Sequence, residues 1–458
     1  MAKGRRMSAH PGVDAAVSRA RSAFEALNEL SLGLRYAMIA AMREAAKAHI
    51  KELSLEAVDE TGLGRAEDKV KKNLLVTLKT PGPEILEPKA KSGDHGLMLM
   101  ERAPHGVIGA IIPTTNPTET VINNAIAMVS GGNAVVFNAH PNAKRCSNHC
   151  AAILNDAVVS VGGPNGLIAC VDDPSIESAQ ALMQHPGVAL LCVTGGPGVV
   201  HEAMKSGKKV IAAGPGNPPA VVDETADIAL AARNIVLGAS LDNNIICTSE
   251  KEVVVVASVA DELKRAMLAE DCIELTGADI ERLCAVIFES RQGRHGVINK
   301  KFIGKNACVI LHELGIQATP ATRLVLCEVD RDHPLLWTEQ LMPVLPIVRA
   351  ANVDEAIGLA VQFEGGRRHT ATMHSRNIEK LSKMARLINC SIFVKNGATP
   401  AGLGMGGEGY TSFTIASPTG EGMTTPISFT RERRCTLAPP KKESAPNSSR
   451  LPKLPFFP

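Results

Sequence analysis

The sequence predicts an α/β protein built from two doubly wound parallel-sheet domains with a small additional oligomerisation element. The chain has 458 residues, beyond the size at which one hydrophobic core keeps growing. From Gly106 onward, short β-branched runs alternate with helical stretches, the pattern of a parallel sheet covered on both faces. A second alternating series begins near residue 226, so two such sheets fit better than one.

The entry is helical: Val13, Ala16, Val17, Ala20, Phe24 and Leu27 recur at helical spacing, and Leu34–Ala48 and Leu53–Val58 continue the pattern. The first series of strands is read at Val107–Ile112, Ala134–Phe137, Leu167–Val171, Val188–Val193, Val210–Ala212 and Ala220–Val222. The second is read at Lys251–Val256, Thr322–Glu328, Val344–Val348, Thr370–Met373 and Ser391–Val394. Residues 88–104 and 424–437 are polar and partly extended, which suits a hairpin and a strand projecting to a partner subunit. After Leu437 a Pro-, Lys- and Ser-rich stretch cannot bury enough apolar surface to order itself, so 438–458 is expected to be a flexible tail.

Composition narrows the function. Lys plus Arg (49) against Asp plus Glu (47) leaves a net charge of +2, without a basic stripe interleaved with aromatics, and so argues against nucleic acid. No apolar run approaches a bilayer span of roughly 20 residues, and no signal-type stretch follows the basic N-terminus, so a soluble cytoplasmic protein acting on a small molecule is expected. Eleven cysteines without framework spacing read as reduced thiols. Cys146, His149 and Cys150 sit within about one helical turn but lack a fourth ligand, and a packed helix is preferred to a metal site.

One cysteine stands apart. In Gly238-Ala239-Ser240-Leu241-Asp242-Asn243-Asn244-Ile245-Ile246-Cys247-Thr248-Ser249-Glu250-Lys251, Cys247 occupies a polar, turn-forming stretch just before a strand. Such a position is expected to expose the sulfur, and loop N–H groups there can lower a thiol pKa and stabilise an adjacent oxyanion.

This stretch resembles the active-site loop of CoA-acylating aldehyde dehydrogenases of the propionaldehyde and ethanolamine-pathway type. The likeness runs from about Val13 to Arg434 and includes, in order, Glu60-Thr61-Gly62-Leu63-Gly64-Arg65, Pro113-Thr114-Thr115-Asn116-Pro117-Thr118-Glu119-Thr120, Gly214-Pro215-Gly216-Asn217-Pro218-Pro219 and Ser417-Pro418-Thr419-Gly420-Glu421-Gly422. The resemblance implies the aldehyde dehydrogenase fold. It divides the chain into an NAD-binding domain (8–88 and 105–221), a catalytic domain (222–416) and an oligomerisation element (89–104 with 417–437).

It also implies roles. Cys247 is the covalent nucleophile, and Asn116 donates to the thiohemiacetal oxygen; read alone, Asn116-Pro117 is a turn pair. Thr194-Gly195-Gly196-Pro197-Gly198 follows a strand and opens a helix, where backbone N–H groups can meet the NAD diphosphate. Asn138 falls where many hydrolytic relatives carry a Lys on the adenosine ribose, which leaves NAD against NADP open, and Glu339 matches the family's ligand to the nicotinamide ribose. CoA is the expected acyl acceptor. Hydrolytic relatives carry a Glu general base upstream of the nucleophile, whereas here Ile211-Ala212-Ala213-Gly214-Pro215-Gly216 has no carboxylate, and Ala213 is the aligned position. His140, His369 and His374 are candidates to deprotonate CoA only because imidazole titrates in the right range.

Two alternatives stay open: a hydrolytic enzyme that gives the free acid, and a catalytically idle relative serving as cargo or scaffold. A short aldehyde, propanal first, is the expected substrate, in a homodimer or homotetramer with a bacterial microcompartment shell as a further partner. Residues 1–12 are too short and polar for the usual N-terminal targeting helix.

Overall fold

A computed structural model describes residues 10–438. The expected tail falls outside that range apart from its first residue, as do the first nine residues. Three helices, α1 (Pro11–Leu27), α2 (Leu32–Thr61) and α3 (Ala66–Lys79), open the chain. Val13, Ala16, Val17 and Ala20 of α1 are buried as their spacing requires. Gly62, at φ +66°, ends α2 in the left-handed conformation that glycine adopts without Cβ strain.

Next come β1 (Lys89–Gly93) and β2 (Gly96–Pro104), an antiparallel hairpin joined much later by β19 (Thr430–Leu437) in a three-stranded sheet. The expected hairpin and strand are therefore present, and nearly all of their side chains on β1 and β19 are exposed.

The first large sheet contains β3 (Val107–Ile111), β4 (Ala134–Asn138), β5 (Ile168–Cys170), β6 (Leu190–Thr194) and β7 (Lys209–Ala213). All pairings are parallel, in the order β5-β4-β3-β6-β7. Strands β3 and β4 are buried throughout, which explains why they read as continuous apolar runs. The order reverses between β3 and β6. That reversal opens a crevice at the C-terminal ends of those two strands, where doubly wound sheets bind ligands. Helices α4 (Pro117–Ser130), α5 (Lys144–Ser160), α6 (Ile176–Gln184) and α7 (Pro197–Met204) fill the connections.

The second sheet is seven-stranded and parallel, ordered β10-β13-β14-β9-β8-β15-β16. Its members are β8 (Pro219–Val222), β9 (Glu252–Val256), β10 (Cys272–Leu275), β13 (Leu324–Glu328), β14 (Val344–Ala350), β15 (Thr370–His374) and β16 (Ile392–Lys395). Helices α8 (Ile228–Ser240) and Ala257–Leu268 cover one face, and Val353–Glu364 with Ile378–Ile388 cover the other. The sequence reading placed residues 220–222 in the first series. In the structure they pair with β9 and β15 instead, because a short apolar strand carries no local mark of which sheet receives it. Strand β10, the hairpin β11 (Phe288–Gln292) with β12 (His295–Ile298), and the short pair β17 (Ile415–Ala416) with β18 (Gly422–Met423) were not anticipated.

The four central strands β14, β9, β8 and β15 are immediately preceded in the chain by Glu339, Cys247, Gly214–Asn217 and His369 respectively. The N-terminal ends of the second sheet thus supply one group of residues, and the C-terminal ends of β3 and β6 supply another.

Candidate active site

Cys247, Asn116, Thr194, Gly195, Gly196, Gly198, Asn138 and Glu339 line one cavity of about 790 Å³. The structure therefore brings together every expected catalytic and cofactor residue.

The nucleophile loop is held stiffly. Asp242, Asn243 and Asn244 all adopt positive φ (49°, 54° and 66°), a conformation that costs most non-glycine residues about 1–2 kcal/mol and Asn and Asp less. Hydrogen bonds, both local and long-range, offset that strain. Asp242 accepts from the Arg65 backbone N–H at 2.7 Å, and Asn243 donates to the Gly304 carbonyl at 2.9 Å. Asn244 donates to the carbonyls of Ala239 and Glu250 at 2.7 and 2.9 Å. Buried Lys251 donates to the carbonyls of Asn244 and Ile246 and to the Asn244 side chain. The Glu60–Arg65 motif acquires a physical meaning here. Arg65 anchors this loop, and Glu60 accepts from the N–H groups of Arg145 and Cys146 at 2.8 Å, satisfying the first turn of α5.

Cys247 is half-buried. The expected lowering of its thiol pKa is not what the structure shows: burial, followed by the Glu339 carboxylate, pushes it up to about 12. Lys251, the residue's own backbone and Lys72 pull in the other direction without prevailing. Glu339 accepts from the Gly216 N–H at 3.3 Å, and burial raises its own pKa. Removing that negative charge should therefore favour the thiolate. Glu339→Gln is expected to speed alkylation of Cys247 by iodoacetamide at pH 8, roughly threefold for each unit by which the thiol pKa falls, because the more abundant thiolate is a weaker nucleophile. A rate equal to that of the wild type would show that Glu339 does not govern the sulfur.

Asn116 sits in the turn at the N-terminus of α4, with Pro117 starting the helix, and its side chain makes no capping hydrogen bond. Its Oδ1 instead accepts from Lys72 Nζ at 2.5 Å, and its Nδ2 donates to Thr115 Oγ1 at 3.2 Å. Lys72 also pairs with Glu119 at 2.8 Å and with Asp242 at 2.5 Å, while Lys69 pairs with Asp242 at 3.1 Å. All four charged side chains are fully buried. Sequence reasoning missed this cluster; its available signal was Lys69 and Lys72 sharing one face of α3 with the buried Leu75 and Val76.

At the far side, α7 begins at Pro197 with Gly196 as its N-cap and no side-chain cap. A Cβ added at Gly196 or Gly198 would meet nothing within 4 Å. This is an open cradle of backbone N–H groups at a helix start, which fits a dinucleotide diphosphate. Asn138 is buried, and its Oδ1 accepts from Ser178 Oγ at 2.6 Å, so one end of its amide is already engaged.

The Gly214-Pro215-Gly216 loop lies against the nucleophile. A Cβ on Gly216 would overlap the Cys247 carbonyl oxygen and crowd the His369 ring at 3.1 Å. Gly214 and Pro215 line the cavity, whereas Ala213, the aligned position, pairs with Thr194 inside the first sheet and is 3% exposed. Ala213, the aligned position, is thus buried at the end of β7, and Gly214 and Pro215 are the residues of this loop that meet the cavity. Nor is the site free of carboxylates, since Glu339 reaches this same loop.

Of the three histidines, His369 is buried beside the nucleophile loop with Nε2 unpartnered, and burial holds its pKa down to about 3. His140 lines the cavity, its pKa lowered by burial and by Lys300. His374 is buried at the far end of β15, its pKa lowered to about 4. Cys146 and Cys150 are buried in α5, and His149 pairs with Glu56 at 2.8 Å.

A sequence profile described as the aldehyde dehydrogenase family matches residues 4–417. The chain belongs to the aldehyde dehydrogenase family. Among its relatives, an acetaldehyde dehydrogenase (acetylating) EutE of Salmonella typhimurium is 50% identical over 94% of this chain and 92% of its own length. A propionaldehyde dehydrogenase of Rhodopseudomonas palustris, crystallised with bound CoA and an acylated cysteine, superposes with a TM-score of 0.90 at 44% identity. That match covers 93% of this chain and 97% of the other. A propionaldehyde dehydrogenase from the Clostridium phytofermentans fucose utilisation bacterial microcompartment gives a TM-score of 0.90 at 42% identity, covering 93% and 97%. The expected aldehyde dehydrogenase fold is thus established. Among the described residues no helix is long and apolar enough to cross a membrane.

Proposed function

We propose that this aldehyde dehydrogenase oxidises a short aliphatic aldehyde, propanal or acetaldehyde, with NAD and transfers the acyl group to CoA through a thioester on Cys247. The observation that carries this reading is the single cavity in which Cys247 and Asn116 face the diphosphate cradle of α7, with no carboxylate on the Ile211–Gly216 loop.

In this reading the Cys247 thiolate adds to the aldehyde carbonyl, and the oxygen that gains charge is held by the Asn116 N–H₂ and the Cys247 backbone N–H. NAD, when bound, accepts the hydride. Thr194–Gly198 would hold its diphosphate and Glu339 its nicotinamide ribose. A Glu339 engaged by ribose hydroxyls would press less on the thiol, whose pKa falls accordingly. CoA sulfur then attacks the thioester and Cys247 leaves as thiolate. His140 lines the cavity, and His369 stays neutral beside the nucleophile loop with Nε2 unpartnered; these two are the histidines proposed to accept the CoA proton.

The exposed three-stranded sheet β1-β2-β19 is the element proposed to hold subunits together as a dimer or tetramer. Residence inside a bacterial microcompartment is proposed on the strength of the Clostridium relative.

NADH formation from propanal, followed with and without CoA, tests the central claim. Steady turnover is expected only with CoA, and at most one equivalent per site without it. Steady CoA-independent turnover would indicate the hydrolytic enzyme, and no NADH in either case the idle relative. Gly214→Glu puts a carboxylate on the part of the loop that meets the cavity and is expected to raise CoA-independent release of acid by activating water. Its Cβ would meet the Pro418 ring at 3.0 Å, so the ring or the loop must give by a few tenths of an ångström. Titration of the acid formed checks this; release equal to the wild type would mean that the loop does not choose the acceptor.

A further inference from the structure

Lys72 lies in α3, 44 residues before Asn116, and nothing in the reaction as described uses it. Its ammonium is completely buried and meets Asn116 Oδ1 at 2.5 Å, Glu119 at 2.8 Å and Asp242 at 2.5 Å. Asn116 belongs to the loop after β3 and Asp242 to the loop that leads to Cys247. One nitrogen therefore joins the two loops from which the oxyanion donors come.

The chemistry of this contact settles the orientation of the Asn116 amide. An ammonium has donors and no acceptor, so it holds only the oxygen end. The N–H₂ end must face away. One of its hydrogens goes to Thr115 Oγ1 at 3.2 Å, which leaves the other for the cavity that Asn116 and Thr115 both line. Without Lys72 the amide is free to turn over, and half of such orientations would present an oxygen to a developing oxyanion.

The charges suit a fixed device. Lys69 and Lys72 face Asp242 and Glu119, so the buried set is neutral, and Lys72 stays protonated because Asp242 and Glu119 outweigh the effect of burial.

We propose that Lys72 is a positioning residue that locks the Asn116 amide with its N–H₂ toward the substrate oxygen and ties that donor to the Cys247 loop through Asp242. The proposal rests on the reading of Asn116 as an oxyanion donor.

A double-mutant cycle on the full-length enzyme tests it. Steady-state kcat and the KM values for NAD and CoA are measured for wild type, Lys72→Met, Asn116→Ala and the double variant, with Lys72→Gln as the conservative replacement. Met removes the donor, whereas Gln keeps an N–H₂ for Asn116 Oδ1. Lys72→Met is expected to lower kcat by roughly 10–10² with the NAD KM unchanged, Lys72→Gln to recover most of that loss, and Lys72→Met to cost little more once Asn116 is Ala. Should Lys72→Met leave Glu119 and Asp242 too poorly compensated to fold, Lys72→Met with Glu119→Gln takes its place in both backgrounds, together with Lys72→Gln. Multiplying losses, or a Gln variant as slow as Met, would overturn the positioning role while leaving the oxyanion reading intact. Wild-type turnover in Asn116→Ala would remove both.

Discussion

Cys247→Ala should abolish NADH formation from aldehyde and acyl-CoA release together, a loss of at least about 10⁴ in kcat, as for removal of other covalent nucleophiles. No neighbouring thiol is placed to substitute. Cys146, Cys150 and Cys192 are buried and do not line the cavity, and the exposed Cys435 lies on the three-stranded sheet and does not line it either. The fold should survive, because the loop is held by Asp242, Asn243, Asn244 and Lys251 rather than by the sulfur. The check is a coupled one: thermal unfolding within a few degrees of the wild type, retained NAD binding by fluorescence, and no turnover. A variant that keeps a substantial share of the wild-type rate would place the nucleophile elsewhere.

Asn116→Ala should lower kcat by about 10²–10³, the loss that follows removal of one oxyanion donor, with the KM for NAD little changed. The selectivity of this effect follows from the surroundings. Lys72 loses one partner but keeps Glu119 and Asp242, so the buried charges stay compensated. Helix α4 loses no capping bond, because the Asn116 side chain makes none. Steady-state kinetics with an urea unfolding curve separate the outcomes: a slow, stable variant supports the donor role, and an unchanged rate returns Asn116 to a structural part.

Much of this protein was legible in its order of residues. The helix and strand alternation from Gly106, the hairpin and strand at 88–104 and 424–437, and the loop around Cys247 all rest on local pattern, and each reappears within a few residues. Local pattern reports how deeply a segment is buried, not against what. Hence residues 220–222 were recognised as a strand but given to the wrong sheet, and no local signal showed that Ala213 is buried in β7 while Gly214 and Pro215 meet the cavity. The electrostatics were further out of reach. Asp242 meets Lys69 across a sequence separation of 173, and Glu339 and Cys247 become neighbours only because β14 and β9 lie side by side in the second sheet. Burial and charge at the sulfur are sums over such distant groups. The sequence by itself therefore determined which residue is the thiol nucleophile candidate and which fold carries it, whereas the raised thiol pKa, the carboxylate beside it and the Lys72 clamp on Asn116 exist only once two sheets meet end to end.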